Sequence, residues 1–397
     1  MATPSSLYRN AIDLNRYSNN VAKSIVSAYN NIIVDAVNQL RTIDELTAPV
    51  KAARLRAILA QLKESLATWS GNSIQTLTGE LQGLALLQSE FVTNQLARAL
   101  PVGARNIVNT VEISPQFAQS VVTTDPTQIN VVTLSDDLTA AVQGAPQTYS
   151  LTAAKGATIT LPNGEVVTKA FNGIVESQAE LFSQVVRNGL LTGETTLEIA
   201  RRLKGRLQIG QPGSVRQITE AGGQATKATN HQIMTLVRTS INQVANAASQ
   251  QVYEANQDIT KKYRYIATLD SRTSPICRAL DGQEFIYGKG PTPPQHFNCR
   301  STTVPIIDYE ELGFTPPPPG RRASMDGPVP VNTSYGQWLK DQSISVQEEV
   351  LGKGKVRYFD LLSEKYGPQA ALAKLVNTDG SELTLAQLRK RYGASDS

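Results

Sequence analysis

The chain has 397 residues, with 38 basic and 34 acidic side chains and a net charge of +4, so it has no strong field of the kind that draws a protein to nucleic acid regardless of sequence. It is 40% hydrophobic but only 6% aromatic, which suits long polar helices better than one dense aromatic core, and its length allows two or three domains. No apolar run is long enough to cross a bilayer, and the opening MATPSSLYRN lacks the basic and apolar regions of a secretory signal. The expectation is a protein made in a cytoplasm with no requirement for a membrane.

Residues 1–100 read as an N-terminal helical arm. Apolar side chains recur at helical spacing in Val21, Ile25, Tyr29, Ile32, Ala36 and Leu40, then in Leu55, Ile58, Leu59, Leu62 and Leu66. Breaks are expected at Thr47-Ala48-Pro49 and at Gly71-Asn72, which gives two or three helices. Residues 101–172 change to β-branched runs broken by Pro and Gly, and read as a small β-rich insertion. Within it, Ile129 to Leu134 reads as a strand, and ATITL and EVVTK flank Pro162-Asn163-Gly164 as a hairpin would.

Residues 173–312 form the predicted core. Helical periodicity returns in GIVESQAELFSQVVRNGLLTG and in ETTLEIARRL, where Thr195 or Thr196 can serve as the cap. Gly205 to Gly223 reads as a Gly- and Gln-rich loop. Asn230 to Asp258 gives the clearest long helix, with Ile233, Leu236, Val237, Ile241, Val244 and Ala248 on one stripe. In residues 313–334 four consecutive prolines predict a semi-rigid linker, and residues 335–397 read as a helical docking segment with a turn at Asp379-Gly380. The fold class is therefore α+β and predominantly α-helical.

The stretch from Asp270 to Pro305 holds both cysteines and one of the two histidines. Cys277, His296 and Cys299 are the donor types that Zn²⁺ prefers, and the H-x-x-C spacing lets His296 and Cys299 approach one ion from a single turn. Candidates for a fourth ligand are Asp270, Asp281, Glu284, His231 or a water. A closed fourth position makes a structural site, while an open one activates water. Three other readings stand beside a metal: simple packing of two small thiols and a hydrogen-bonded imidazole, a Cys277–Cys299 disulfide, and a catalytic Cys-His pair. Arg201, Arg202, Lys204 and Arg206 form a basic run and are candidate DNA contacts, as is the Arg321-Arg322 pair. No interleaved aromatic residues support base stacking.

The segment resembles the core of the phage Mu F-like head morphogenesis family, the minor head proteins of tailed bacteriophages. The resemblance rests on Asp270, Arg272, Thr273, Cys277, Leu280, Asp281, Gly282, Pro293, Pro294, His296, Asn298, Cys299 and Arg300. It extends upstream to VRTSINQVANAA, with Arg238, Thr239 and Asn246 at the marked positions, and downstream to YGQWLKDQSISVQEEVLGKGKVRYFDLL, so that it reaches from about Gly173 to about Arg391. Members often carry a further cysteine two residues after the one at Cys299, and this chain has Ser301 there, which weakens any metal site.

The resemblance implies a virion protein located in the head interior or at the portal vertex, present in the host cytoplasm during assembly and oligomeric in the particle. It implies partners among the portal protein, the major capsid protein and packaged DNA, and roles in head morphogenesis and possible genome packaging or delivery. An enzyme is not expected. An ADP-ribosyltransferase would have to enlist Arg238, Ser343, Ser345, Glu348 and Glu349, whose acids follow the serines too closely. A His-Asn metal-finger nuclease would need a further ligand after His296 and Asn298 that does not follow at a suitable spacing. Any cofactor is expected to be structural Zn²⁺.

Overall fold

The structure is a computed structural model that describes residues 4–43, 45–46, 48–114, 117–118, 131–133, 148–151, 165–191, 194–204 and 215–393. Two long helices, α1 (Pro4–Arg41) and α2 (Ala48–Ala99), fold back on each other. Their antiparallel register is fixed by polar rungs. Ser6 Oγ donates to Gln95 Oε1 (2.6 Å), Asn10 Nδ2 to Gln88 Oε1 (2.8 Å), and Trp69 Nε1 to the Ile25 carbonyl (3.1 Å). The helix break expected at Gly71-Asn72 does not occur. Leu66, Trp69, Leu77 and Leu81 stay buried on one stripe through that point, and their packing outweighs the roughly 1 kcal/mol penalty of a helical glycine.

A 3₁₀ turn (Val102–Ile107) leads to β1 (Thr110–Ile113), which forms a three-stranded sheet with β2 (Val131–Thr133) and β3 (Thr148–Leu151) in the order β1-β3-β2. β1 runs parallel to β3, and β2 runs antiparallel to it. The hairpin expected around Asn163-Gly164 is not formed as predicted. Its first arm, ATITL, lies outside the described residues, and most of its second arm lies inside α3 (Val167–Leu191). Val167, Phe171 and Ile174 are buried at helical spacing, and the Phe171 ring sits 5.6 Å from Trp69, so tertiary packing overrides the β-branched pair.

α4 (Thr196–Lys204) opens with a reciprocal cap. The Glu198 amide donates to Thr195 Oγ1 (3.2 Å), and the Thr195 amide donates to Glu198 Oε2 (2.8 Å). α5 (Val215–Glu254) starts well before Asn230, so the later part of the expected Gly205–Gly223 loop is helical and the part before Val215 lies outside the described residues. Its stripe of Ile233, Val237, Ile241, Val244, Ala248 and Val252 is buried against α1, α2 and α3. The N-terminal helices therefore share one apolar core with the central helices.

After α5 come β4 (Thr260–Ile266), α6 (Pro275–Leu280), β5 (Glu284–Ile286) and β6 (Thr302–Ile307), with the strands antiparallel in the order β5-β4-β6. The Pro-rich segment differs from a plain spacer, because Arg321–Ser324 (β7) and Gly327–Pro330 (β8) form a hairpin. Five helices follow: α7 (Tyr335–Lys340), α8 (Ile344–Leu351), α9 (Lys353–Tyr366), α10 (Pro368–Lys374) and α11 (Leu385–Tyr392). They build a second core that joins Tyr265, Leu269, Cys277 and Cys299 to Tyr335, Trp338, Leu339 and Phe359. Strand β4 serves both cores, with Tyr263 in the first and Tyr265 in the second. The chain is α+β and predominantly helical, as the sequence indicates.

Candidate metal centre

Cys277 lies on α6, whose first turn carries Pro275 and whose preceding residue is Ser274. The Ser274 hydroxyl does not cap its own helix; it lies 2.7 Å from His296 Nε2. Gly282, just past the helix, has φ +78° and returns its amide to the Tyr265 carbonyl (2.8 Å), which brings the next strand back alongside β4. The chain then turns through Gly288 and Gly290. A Cβ on Gly290 would lie 2.3 Å from the Phe285 Cβ, so only glycine permits that approach.

The returning loop is braced against α5. Asn298 adopts φ +58°, its amide donates to Thr239 Oγ1 (3.0 Å) and its Nδ2 donates to Thr235 Oγ1 (2.9 Å). Asn242 Nδ2 donates to the Ser301 carbonyl (3.1 Å). On the other side Arg300 grips Asp270 with both Nη atoms, with Nη2 to Oδ1 at 2.8 Å. Thr273 Oγ1 donates to the Thr268 carbonyl (2.6 Å) and to Asp270 Oδ1 (3.2 Å). These bonds and Arg300 hold the Asp270 carboxyl below its ordinary value, against the opposing effect of burial.

Between these braces the three soft donors meet. Cys277 Sγ lies 3.3 Å from His296 Nε2 and 3.7 Å from Cys299 Sγ, and all three donor atoms lie within 4.8 Å of one another. In a tetrahedral Zn²⁺ site with Zn–S about 2.3 Å and Zn–N about 2.0 Å, the S···S and S···N edges are about 3.7 and 3.5 Å. The residues fit the ion. Both cysteines are buried and neither is in a disulfide. His296 Nδ1 faces the Phe297 carbonyl (2.8 Å), which orients the ring so that Nε2 points to the sulfurs.

The electrostatics match a cation site. Its hydrogen bond with Cys299, together with burial, pushes the Cys277 thiol far up, although the Ser274 and Ser301 hydroxyls partly oppose this. Cys299 is held well below the usual thiol value by the Cys277 bond and by His296, against burial. His296 is raised because Cys299 and the Phe297 carbonyl outweigh its own burial. Of the two sulfurs, Cys299 is the one whose surroundings favour the thiolate. Cys277, His296 and Cys299 could hold a metal ion, and an ion there would crosslink α6 to the returning loop.

The proposed fourth ligands lie elsewhere. Asp270 is held by Arg300, Asp281 by Arg322 (2.8 Å), and Glu284 pairs with Arg264 (2.7 Å). His231 is exposed on α5. Beside the cluster stands Ser301, 2% exposed, whose hydroxyl acts to lower the pKa of both Tyr265 and Cys277 against the larger effects that raise them. The Tyr265 hydroxyl lies 3.2 Å from the same sulfur. The motif residues Arg238, Arg272 and Gly282 serve the frame: Arg238 Nε donates to Asn19 Oδ1 (2.7 Å), and the Arg272 amide donates to Asp270 Oδ1 (3.1 Å).

The basic run on α4 does not present four cations together. Arg202 is 8% exposed, pairs with Glu194 (3.2 Å) and donates to the Val185 carbonyl (2.6 Å), so it is a packing residue and not a phosphate contact. Arg201 is half-buried, while the Lys204 side chain and Arg206 lie outside the described residues. Arg322 is buried as well. Of the residues an ADP-ribosyltransferase would need, Ser343 caps α8, Glu349 is exposed and Arg238 is bonded to α1. The Asn298 amide needed by a His-Asn nuclease is taken by Thr235.

No curated protein and no solved structure matches this chain. A family model described as Phage Mu protein F like protein matches residues 180–304, while α1, α2 and the YGQWLK segment lie outside the match. That span takes in α4, all of α5 and the braced loop with its three donors, so this part of the chain is similar to the phage Mu F-like proteins.

Proposed function

We propose that the protein is a minor head protein of a tailed bacteriophage, acting at or near the portal vertex during head morphogenesis. The family belongs to bacteriophage head morphogenesis and virion assembly, and the observation that carries the reading is the match over residues 180–304, centred on the braced loop. The role is structural. The loop is locked on three sides by Asn298, Arg300 and the Cys/His cluster, a rigid arrangement suited to joining other proteins. The second core gives the protein a helical C-terminal face, formed by α8, α9 and α11, with Ile344, Leu361 and Leu385 exposed. Among the described residues no helix is long and apolar enough to cross a membrane.

Co-expression with the portal protein of the same genome, followed by affinity capture and native mass measurement, tests the proposal. Stable co-purification with a defined stoichiometry supports a portal-associated minor head protein. Clean separation from the portal, with retention on the major capsid protein or on DNA, moves the protein to the head interior and overturns the portal assignment.

A further inference from the structure

A cleft of about 270 Å³ lies where α1 passes the Cys/His module, with Asn15, Thr268, Asp270, Arg272, Arg300 and Ser324 in its wall. Its charges do not balance. Arg322 also lines the cleft but is matched by Asp281. Arg272 and Arg300 share the single carboxylate of Asp270. Arg238 is not a wall residue, but, held by Asn19 one helical turn beyond Asn15, it brings a third guanidinium close by. Burial and the nearby Arg272 and Arg300 push the Arg238 guanidinium below its ordinary value, so the three cations repel one another where they stand.

We propose that this cleft binds a phosphate group, gripped by Arg272 and Arg300, with Arg238 on the neighbouring α5 adding positive charge. Three guanidiniums against one carboxylate leave two positive charges, and forked N–H donors match the several oxygens of a phosphate better than one ammonium does. Thr268 and Ser324 line the same cavity, their hydroxyls donating to the Arg300 and Gly327 carbonyls. The elements involved are far apart in sequence, with Asn15 and Asn19 on α1, Arg238 on α5 and Arg272 and Arg300 in the loop. Only the folded chain assembles the site. It is separate from the metal centre, and it does not depend on the portal assignment.

The full chain is tested with two probes. Inorganic phosphate is added in a thermal melt at constant ionic strength, with chloride as the reference. A fluorescent oligothymidylate is titrated by anisotropy over a salt series. Wild type is expected to bind at least one probe, and R272E, at a side chain that is 78% exposed, to lose affinity by about tenfold or more and to lower the log–log salt slope by about 1. K289E, an exposed site on another loop, is expected to bind as wild type does. Binding of phosphate alone assigns the site to a free anion, and binding of both probes assigns it to a nucleic-acid backbone. Should R272E melt early, R238Q is judged by the same criterion. Failure of wild type to bind either probe, or unchanged affinity in the charge variants, overturns the proposal.

Discussion

Replacing Ser301 with cysteine should convert a three-donor site into a four-donor one. Ser301 is 2% exposed, two residues after Cys299, and its hydroxyl acts on both Cys277 and Tyr265, so a thiol at this position lies beside the cluster. A third thiolate completes the Cys₃His set of a closed structural Zn²⁺ site. Outer-shell contacts alone alter metal affinity by about 10–100-fold, so a direct ligand should tighten binding by at least about that much, or roughly 1.4–2.7 kcal/mol. Without metal the sign reverses. S301C puts a larger sulfur into a buried position and should lose about 1 kcal/mol. The assay is competition for Zn²⁺ against a chromophoric chelator, paired with melts in Zn²⁺ and in EDTA. The expected result is tighter binding together with a wider gap between the two melts. Equal affinity and an equal gap in S301C and wild type would refute the claim that position 301 is the fourth corner of the site.

Cys299→Ala should lower the melting temperature and remove any response to chelator, whereas wild type in EDTA should melt lower than in Zn²⁺. A site held at about 100 times its Kd contributes roughly 2.7 kcal/mol, and a wild-type melt that ignores both additions removes the metal. Arg322→Met should cost about 3–5 kcal/mol in urea unfolding followed by Trp338 fluorescence. It leaves Asp281, at 0% exposure, charged with only the Ala267 and Tyr335 amides (each 2.7 Å) as partners; a change below about 0.5 kcal/mol would show that the pair is not the tie described. Asp270 has a folded pKa below its ordinary 3.8, so its contribution is present above that value and is lost as pH falls through the folded one. Asp270→Asn should therefore be less stable than wild type at neutral pH, with the gap closing below about pH 4, and a gap independent of pH would refute the assignment.

The cluster was legible because its chemistry is local. Cysteine and histidine are rare in this chain, and the spacing from His296 to Cys299 fits one turn of backbone. The long helices were legible for the same reason, through the stripes from Val21 to Leu40 and from Ile233 to Ala248. Arg322 was not legible. Its partner Asp281 is 41 residues upstream, and an arginine pair following four prolines resembles a solvated charge until the hairpin folds back. Arg202 was misread in the same way, since Glu194 and the Val185 carbonyl lie on the preceding helix and loop. The EVVTK stretch failed for the opposite reason. Its β-branched pair gives a correct local preference, but that preference loses to the burial of Val167 and Phe171 against Trp69.

The braces around the loop decide what a metal can contribute. Asn298 fixes the loop to α5 through two threonines, Arg300 fixes it to Asp270, and Asn242 holds the Ser301 carbonyl, all with ordinary side chains. The loop's path is therefore set before any ion binds, and a serine at position 301 costs affinity for the ion without costing the fold. What an ion would add is a crosslink between α6 and the loop inside the second core, where Cys277 and Cys299 pack with Tyr335, Trp338 and Phe359. The Tyr335 hydroxyl also donates to the Asp270 carbonyl oxygen (2.7 Å), and its amide donates to Asp281. A change at the donor cluster thus reaches the C-terminal helices through one packed layer. For this reason C299A should weaken the docking of residues 335–392 more than it weakens the α1–α2 hairpin, whose core contains neither cysteine.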